Sequence, residues 1–177
     1  MFNLQGSIVA LVTPMDVDGT IDWQAFKDLI EWHINSGSSG LVIVGTTGES
    51  ATLDVAEHVQ VIENSVKNAD GRIKIIAGTG ANSTKEAIYL TASARSAGAD
   101  AALLVTPYYN RPSQEGLYRH YSHIADEVDA ASHLIDIACD KSLTFLIAHE
   151  NVDGIMAMLD ARGAELALLP QELCDVF

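Results

Sequence analysis

The sequence predicts an α/β fold built on a parallel sheet, and three observations carry that prediction. Short apolar runs recur at near-constant spacing, amphipathic helix patterns fill the intervals between them, and the loop after each run is long and polar. The runs begin near Ser7 (SIVALVTP), Leu41 (LVIVG), Arg72 (RIKIIAG) and Ala101 (AALLVTP), with spacings of 34, 31 and 29 residues. Short continuous apolar runs are what strands covered on both faces require. In the first interval Asp22 can cap a helix carrying Phe26, Leu29, Ile30 and Ile34 on one face, stopped by Gly37. In the second, Asp54 and Glu57 form the pattern of a capping box, ahead of an inward stripe of Val55, Val59, Ile62 and Val66. Ser83 and Glu86 repeat that pattern for a helix bearing Ala87, Leu90 and Ala94. Ser113 can cap a fourth, bearing Leu117, Tyr121, Ile124 and Val128. Four strand–helix repeats demand a parallel sheet with right-handed crossovers.

Two architectures satisfy that repeat: an open doubly wound sheet, or part of a (β/α)8 TIM barrel. Both place the site at the carboxyl ends of the strands. The loops there read TPMDVDGTI, GTTGESATL, GTGANS and TPYYNRPS. An open sheet concentrates its ligand at one switch point, whereas here all four loops are elaborated, which favours the barrel.

Composition narrows the function. The chain has 177 residues, 48% apolar and 19% charged, and can bury roughly two-thirds of its unfolded surface. With 10 Lys and Arg against 24 Asp and Glu, its net charge of −14 disfavours nucleic acid and anionic membrane surfaces as partners. No apolar run approaches the ~20 residues of a membrane span. The opening MFNLQGSIVALVTP lacks a basic region and is expected not to be a signal peptide. Cys139 and Cys174 make no disulfide framework, so a cytoplasmic, reduced protein is expected.

The glycine-rich loops do not make a phosphate site. GTTGES lacks the Gly-Lys-Ser/Thr of a P-loop, and GTGANS has Ser83 where a third glycine belongs. Tight turns and close backbone approach explain Gly78 and Gly80 better. The hydroxyls are more informative. Thr46 and Thr47 follow the second strand, and Tyr108 and Tyr109 follow the fourth. Such groups both donate and accept, so a chain of them can relay protons where bulk water is scarce. The competing reading makes the threonines turn residues and the tyrosines packing aromatics. His120 and His123, three apart on a helix, have no evident third metal ligand and read as structural or surface histidines. Packing, in the core or at an interface, is the expectation for Trp23 and Trp32.

Taken together, SIVALVTPMD, VGTTGESATL, RIKIIAGTGANST and LLVTPYYNRPSQEGLYRHY resemble the dihydrodipicolinate synthase family over about residues 6–128. The resemblance implies a (β/α)8 barrel, self-association as dimers or tetramers, and a lyase of lysine biosynthesis through diaminopimelate. It implies no cofactor and no metal. A lysine on the sixth strand forms a Schiff base with pyruvate, and the resulting enamine attacks aspartate semialdehyde. Such a lysine must be partly neutral near pH 7, by burial or a cationic neighbour. By resemblance Thr47 belongs to the proton relay, Thr46 stands beside it near the pyruvate carboxylate, and Tyr109 reaches across a dimer interface into a neighbour's relay. Tyr108, Ser50, Ala51, His58, Asn82 and Glu86 match a cleft at which lysine inhibits some members. Val55 stands where some lysine-sensitive members carry a histidine.

The last 48 residues depart from the family. By direct offset a tyrosine is due near Ile135, an arginine near Asp140 and the Schiff-base lysine near Gly163. The one lysine beyond residue 129 is Lys141, in a different context. The expected organisation is therefore 1–128 as the N-terminal βα units of a synthase-like barrel and 129–177 as a divergent tail on the same domain. A complete barrel takes ~250 residues. In the tail, Leu143–Ala148 reads as a strand, Asn151 can cap a helix ended by Gly163, and Glu165–Leu169 reads as a further strand. The tail holds eight acids against Lys141 and Arg162, and a solvated acidic face accounts for it. The alternative to a pyruvate aldolase is a non-catalytic truncated or frameshifted α/β scaffold. Its half barrel would expose strand edges and an apolar interior and so self-associate.

Overall fold

The computed structural model describes residues 5–128, 134–140 and 143–149. Strands β1 (Ile8–Ala10), β2 (Gly40–Ile43), β3 (Lys74–Gly78) and β4 (Ala101–Val105) alternate with helices α1 (Trp23–Asn35), α2 (Val55–Ala69), α3 (Thr84–Ala97) and α4 (Gln114–Glu127). Two further strands follow, β5 (Leu134–Asp140) and β6 (Leu143–His149). They form one six-stranded sheet whose spatial order is the chain order, β1 to β6. The first five strands are parallel neighbours, and β6 runs antiparallel to β5.

That order decides between the two architectures. A doubly wound sheet reverses direction at a switch point and so places helices on both faces. Here the order never reverses, so right-handed crossovers put every helix on one face. Successive helices accordingly pack on one another, α1 on α2, α2 on α3 and α3 on α4. These are four βα units of a TIM-barrel wall.

Local chemistry fixes the helices as the sequence predicts. Asp22 Oδ1 accepts Ala25 N at 2.9 Å, and Gly37 closes α1 at φ 79°. Asp54 and Glu57 complete a full capping box at 2.8 and 3.1 Å. At α3, Ser83 Oγ accepts Glu86 N at 3.4 Å. Ser113 caps α4 by accepting Gly116 N at 3.1 Å.

Strand alternation separates two apolar layers. Leu41, Ile43, Ile75 and Ala77 face the helices and pack with Phe26, Ile30, Val61 and Ile62. Ala102 and Leu104 do the same against Ala87, Ile124 and Val128. The alternate residues Val42, Ile76 and Ala101 form the inner layer, flanked by Ile8, Ala10 and Leu103. Val42, Ile76 and Ala101 are 4%, 2% and 4% exposed, and Ile8, Ala10 and Leu103 around them are partly buried.

Two packing expectations need correction. On α2 the buried residues are His58, Val61, Ile62, Ser65 and Ala69. Val55 lies on the same side as Ile62, two turns away, but it occupies the first turn, where the stripe runs out of cover, and it is exposed. Trp23 and Trp32 are exposed on this chain, edge-on to Phe26 and His33 respectively, which overturns the core half of their expectation and leaves an interface untested. The strand read at Leu143–Ala148 is β6. The helix after Asn151, the strand at Glu165–Leu169, Lys141 and Gly163 lie outside the described residues.

Candidate functional site

The carboxyl ends of β1 to β4 are stitched together by close backbone contacts. Thr13, buried after β1, donates from Oγ1 to Gly48 O at 2.8 Å across the loop after β2. A side chain on Gly78 would lie 2.3 Å from Val44 O, so only glycine lets the end of β3 approach the end of β2. A side chain on Gly80 would lie 2.2 Å from Val105 N, and the same reason joins β3 to β4. Asn82 Oδ1 accepts Tyr108 N at 2.7 Å and ties the third loop to the fourth. Gly78 and Gly80 therefore serve close approach, as their sequence context implied.

The loops that bear Thr46, Thr47, Tyr108 and Tyr109 meet at this rim. Thr46 and Thr47 are exposed on the loop after β2. Tyr109 is 98% exposed on the loop after β4, and Tyr108 is half-exposed beside it. Tyr109 has φ 71°, and Asn110 N donates to Tyr108 O at 2.9 Å across it. That combination is a tight three-residue turn of the rare, strained hand. Among the described residues, the side-chain hydroxyls of Thr46, Thr47 and Tyr109 bond neither to one another nor to other groups. The structure thus brings their loops to one end of the sheet, while the three hydroxyls remain uncommitted.

The second group surrounds the start of α2 and α3. Ser50 is half-buried, and Ala51, Asn82 and Glu86 are exposed. His58 is buried and donates from Nε2 to Gly78 O at 2.7 Å, which fixes its tautomer. Burial holds its imidazole below the ordinary range, while the Gly78 carbonyl and the Glu86 charge pull the other way. His58 thus links α2 to the end of β3 at the point where β3 meets β2.

The sequence reading missed three contributors. Thr13 had only its place after an apolar run to mark it. Tyr121, taken as a core residue of α4, donates from its hydroxyl to Thr106 Oγ1 at 3.1 Å at the foot of the tyrosine loop. Thr84 Oγ1 and His120 Nδ1 share a 2.8 Å hydrogen bond, so His120 is packed between α3 and α4, where burial lowers its pKa, while His123 is exposed. Among the described residues no cluster of three metal-ligating side chains occurs. Among the same residues no helix is long and apolar enough to cross a membrane.

The model of the dihydrodipicolinate synthetase family matches residues 3–140. This chain belongs to that family. The match runs past Val128 to the end of β5, farther than the motifs alone reach. The 4-hydroxy-tetrahydrodipicolinate synthase of Pseudomonas savastanoi pv. phaseolicola is 51% identical over 90% of the chain and 56% of its own length. That of Cellvibrio japonicus is 57% identical over 76% of the chain and 46% of its own length. Among solved structures, the chloride-inhibited synthase of Acinetobacter baumannii, complexed with pyruvate, is 58% identical with a TM-score of 0.72, over 77% of this chain and 45% of that one. The Aquifex aeolicus synthase is 48% identical with a TM-score of 0.74, over 90% and 52%. The chain spans about half the length of the family members it matches. In that family it is a run of TIM-barrel βα units with β5 added in parallel; β6, antiparallel, departs from the barrel pattern.

Proposed function

We propose that this chain carries the N-terminal part of a pyruvate-dependent lyase site that condenses pyruvate with aspartate semialdehyde in lysine biosynthesis. The observation that carries this reading is the set of uncommitted hydroxyls of Thr46, Thr47 and Tyr109 on one rim of the parallel sheet. The pyruvate held by the Acinetobacter baumannii relative supports the choice of substrate. In the proposed chemistry a lysine amine attacks the pyruvate ketone, water leaves, and the iminium draws electrons from the methyl group. Loss of a methyl proton gives the enamine that attacks the aldehyde of the second substrate. Each step moves a proton, and Thr47 with Tyr109 would hand protons on while Thr46 stands by the pyruvate carboxylate. Tyr109, almost wholly exposed, suits a role reaching into a neighbouring copy of the chain. Ser50, Ala51, His58, Asn82, Glu86 and Tyr108 are proposed to line a lysine-binding cleft between two such copies. Residues 1–128 would form the synthase-like unit and 129–177 the divergent tail. A cytoplasmic setting fits the cysteine usage.

The competing reading is a non-catalytic, self-associating scaffold, favoured by the absence of a lysine near position 163. One experiment separates the two. The protein is incubated with pyruvate, reduced with borohydride and examined by mass spectrometry. A pyruvyl adduct on Lys141 would support catalysis by this chain alone. Folded protein without an adduct would support the scaffold. Calorimetric titration with lysine tests the cleft, and no heat up to about millimolar lysine would refute it.

A further inference from the structure

The end of β2 adopts a conformation that its residue type disfavours. Val44 has φ 49°, a left-handed backbone that β-branched residues rarely adopt. It is 1% exposed and held from two sides. A side chain on Gly78 would lie 2.3 Å from Val44 O, and one on Gly48 would lie 3.0 Å from Val44 Cα. Gly48 is itself fixed by Thr13 at 2.8 Å, and Gly78 by His58 at 2.7 Å. Strain of this kind persists where the surroundings over-determine it, and it concentrates at functional sites. Directly after Val44 the chain curls on itself. Gly48 N and Ser50 N both donate to Gly45 O, at 3.0 and 3.4 Å, and Glu49 N donates to Thr46 O at 3.1 Å. An extended residue at 44 would continue the strand direction and open this curl.

We propose that Val44 is the positioning residue of the Thr46–Thr47 loop: its left-handed backbone, clamped between the bare α-carbons of Gly48 and Gly78, sets where the two hydroxyls stand on the rim. The inference rests on the relay reading given above and adds to it the residue that holds the relay in place. Side-chain packing and backbone direction at this site can be told apart. Val44→Ala and Val44→Gly both remove the buried side chain, but only glycine accepts positive φ without strain. Glycine also leaves the backbone free to sample other directions.

The test compares the two variants in the full chain. Val44→Gly should melt about 2–4 °C above Val44→Ala, the reverse of the usual order of these residues. Despite that greater stability, amide exchange at Gly48 and Ser50 should be about tenfold faster in Val44→Gly, because the curl is no longer directed. Pyruvate binding, followed by ligand-observed NMR, should stay near the native value in Val44→Ala and fall about fivefold or more in Val44→Gly. A packing role alone would make exchange and affinity follow stability. The proposal is overturned if Val44→Ala is the more stable variant, or if Gly48 and Ser50 exchange equally in both. If the native chain binds no pyruvate, the relay reading falls by itself, and the exchange comparison still decides the role of Val44.

Discussion

Acidification from about pH 7.5 to about pH 5.5 is expected to destabilise the fold, by no more than about 4 kcal/mol, before the carboxylates titrate. The expectation comes from three buried histidines. His33, His58 and His120 are 8%, 4% and 6% exposed, and burial lowers the pKa of each. In the unfolded chain the same rings titrate near their ordinary value of about 6.5. The unfolded state therefore binds protons first. The stability these groups contribute is complete above about pH 6.5 and is lost as the pH falls toward the depressed folded values. A single ring that stays neutral in the fold across this interval contributes about 1.4 kcal/mol of the loss, and three contribute about 4. His58 has the tightest placement, with its carbonyl bond to Gly78, although that bond and the Glu86 charge partly offset its burial. Asp18 and Glu31, lowered by bonds to Thr20 and Arg72, follow the opposite pattern at lower pH: their contributions persist above the usual carboxylate range and vanish below it. Urea unfolding followed by circular dichroism at half-unit steps measures the effect, and His58→Gln should remove up to about a third of the slope. Stability that stays flat across the interval, or imidazole NMR signals titrating at or above about 6.5, would refute the reasoning.

Three further outcomes follow from the packing. Gly80→Ala should cost about 2 kcal/mol or more in thermal unfolding, since its new carbon would sit 2.2 Å from Val105 N; a change under about 0.5 kcal/mol would contradict the close approach. Phe26→Ala, at a residue 1% exposed in the main core, should cost about 3–5 kcal/mol in denaturant titration. Asp54→Ala should cost about 1 kcal/mol and raise amide exchange in the first turn of α2, whose capping box it removes.

The fold was legible because its signals are local and repeated. Asp22, Asp54, Ser83 and Ser113 mark helix starts that the structure reproduces, since a cap needs only a side-chain oxygen and an amide three residues on. The barrel choice rested on four rich loops, and the strand order then supplied the stronger reason. Exposure was less legible. Val55 fits the α2 stripe by angle, but angle says nothing about whether a first turn has cover. The rim residues could be named from motifs, whereas Thr13, Val44 and Tyr121 could not. Their roles arise where chain segments far apart in sequence meet, and neither spacing nor composition records such meetings. Val44 is the clearest case, because a valine at a strand end gives no warning of a left-handed backbone.

The spacing of β5 and β6 bears directly on chemistry. A parallel strand can follow its neighbour only through a crossover of about a dozen residues, usually a helix. Two residues separate Asp140 from Leu143, and the strands they bound pair antiparallel along seven residues. Among the described residues the βα repeat therefore ends at β5, and the next strand runs opposite to the direction in which a barrel presents strand ends to its active rim. A sixth parallel strand is where the family resemblance puts the imine-forming lysine, and an antiparallel β6 delivers its own carboxyl end to the other side of the sheet. Neither β6 nor the sequence after it contains a lysine, whereas Asp140, the residue before Lys141, ends β5 on the same side of the sheet as the hydroxyl rim. On the proposed reading the amine then comes from Lys141 or from a different chain, and the borohydride adduct, by its presence or absence on Lys141, reports which.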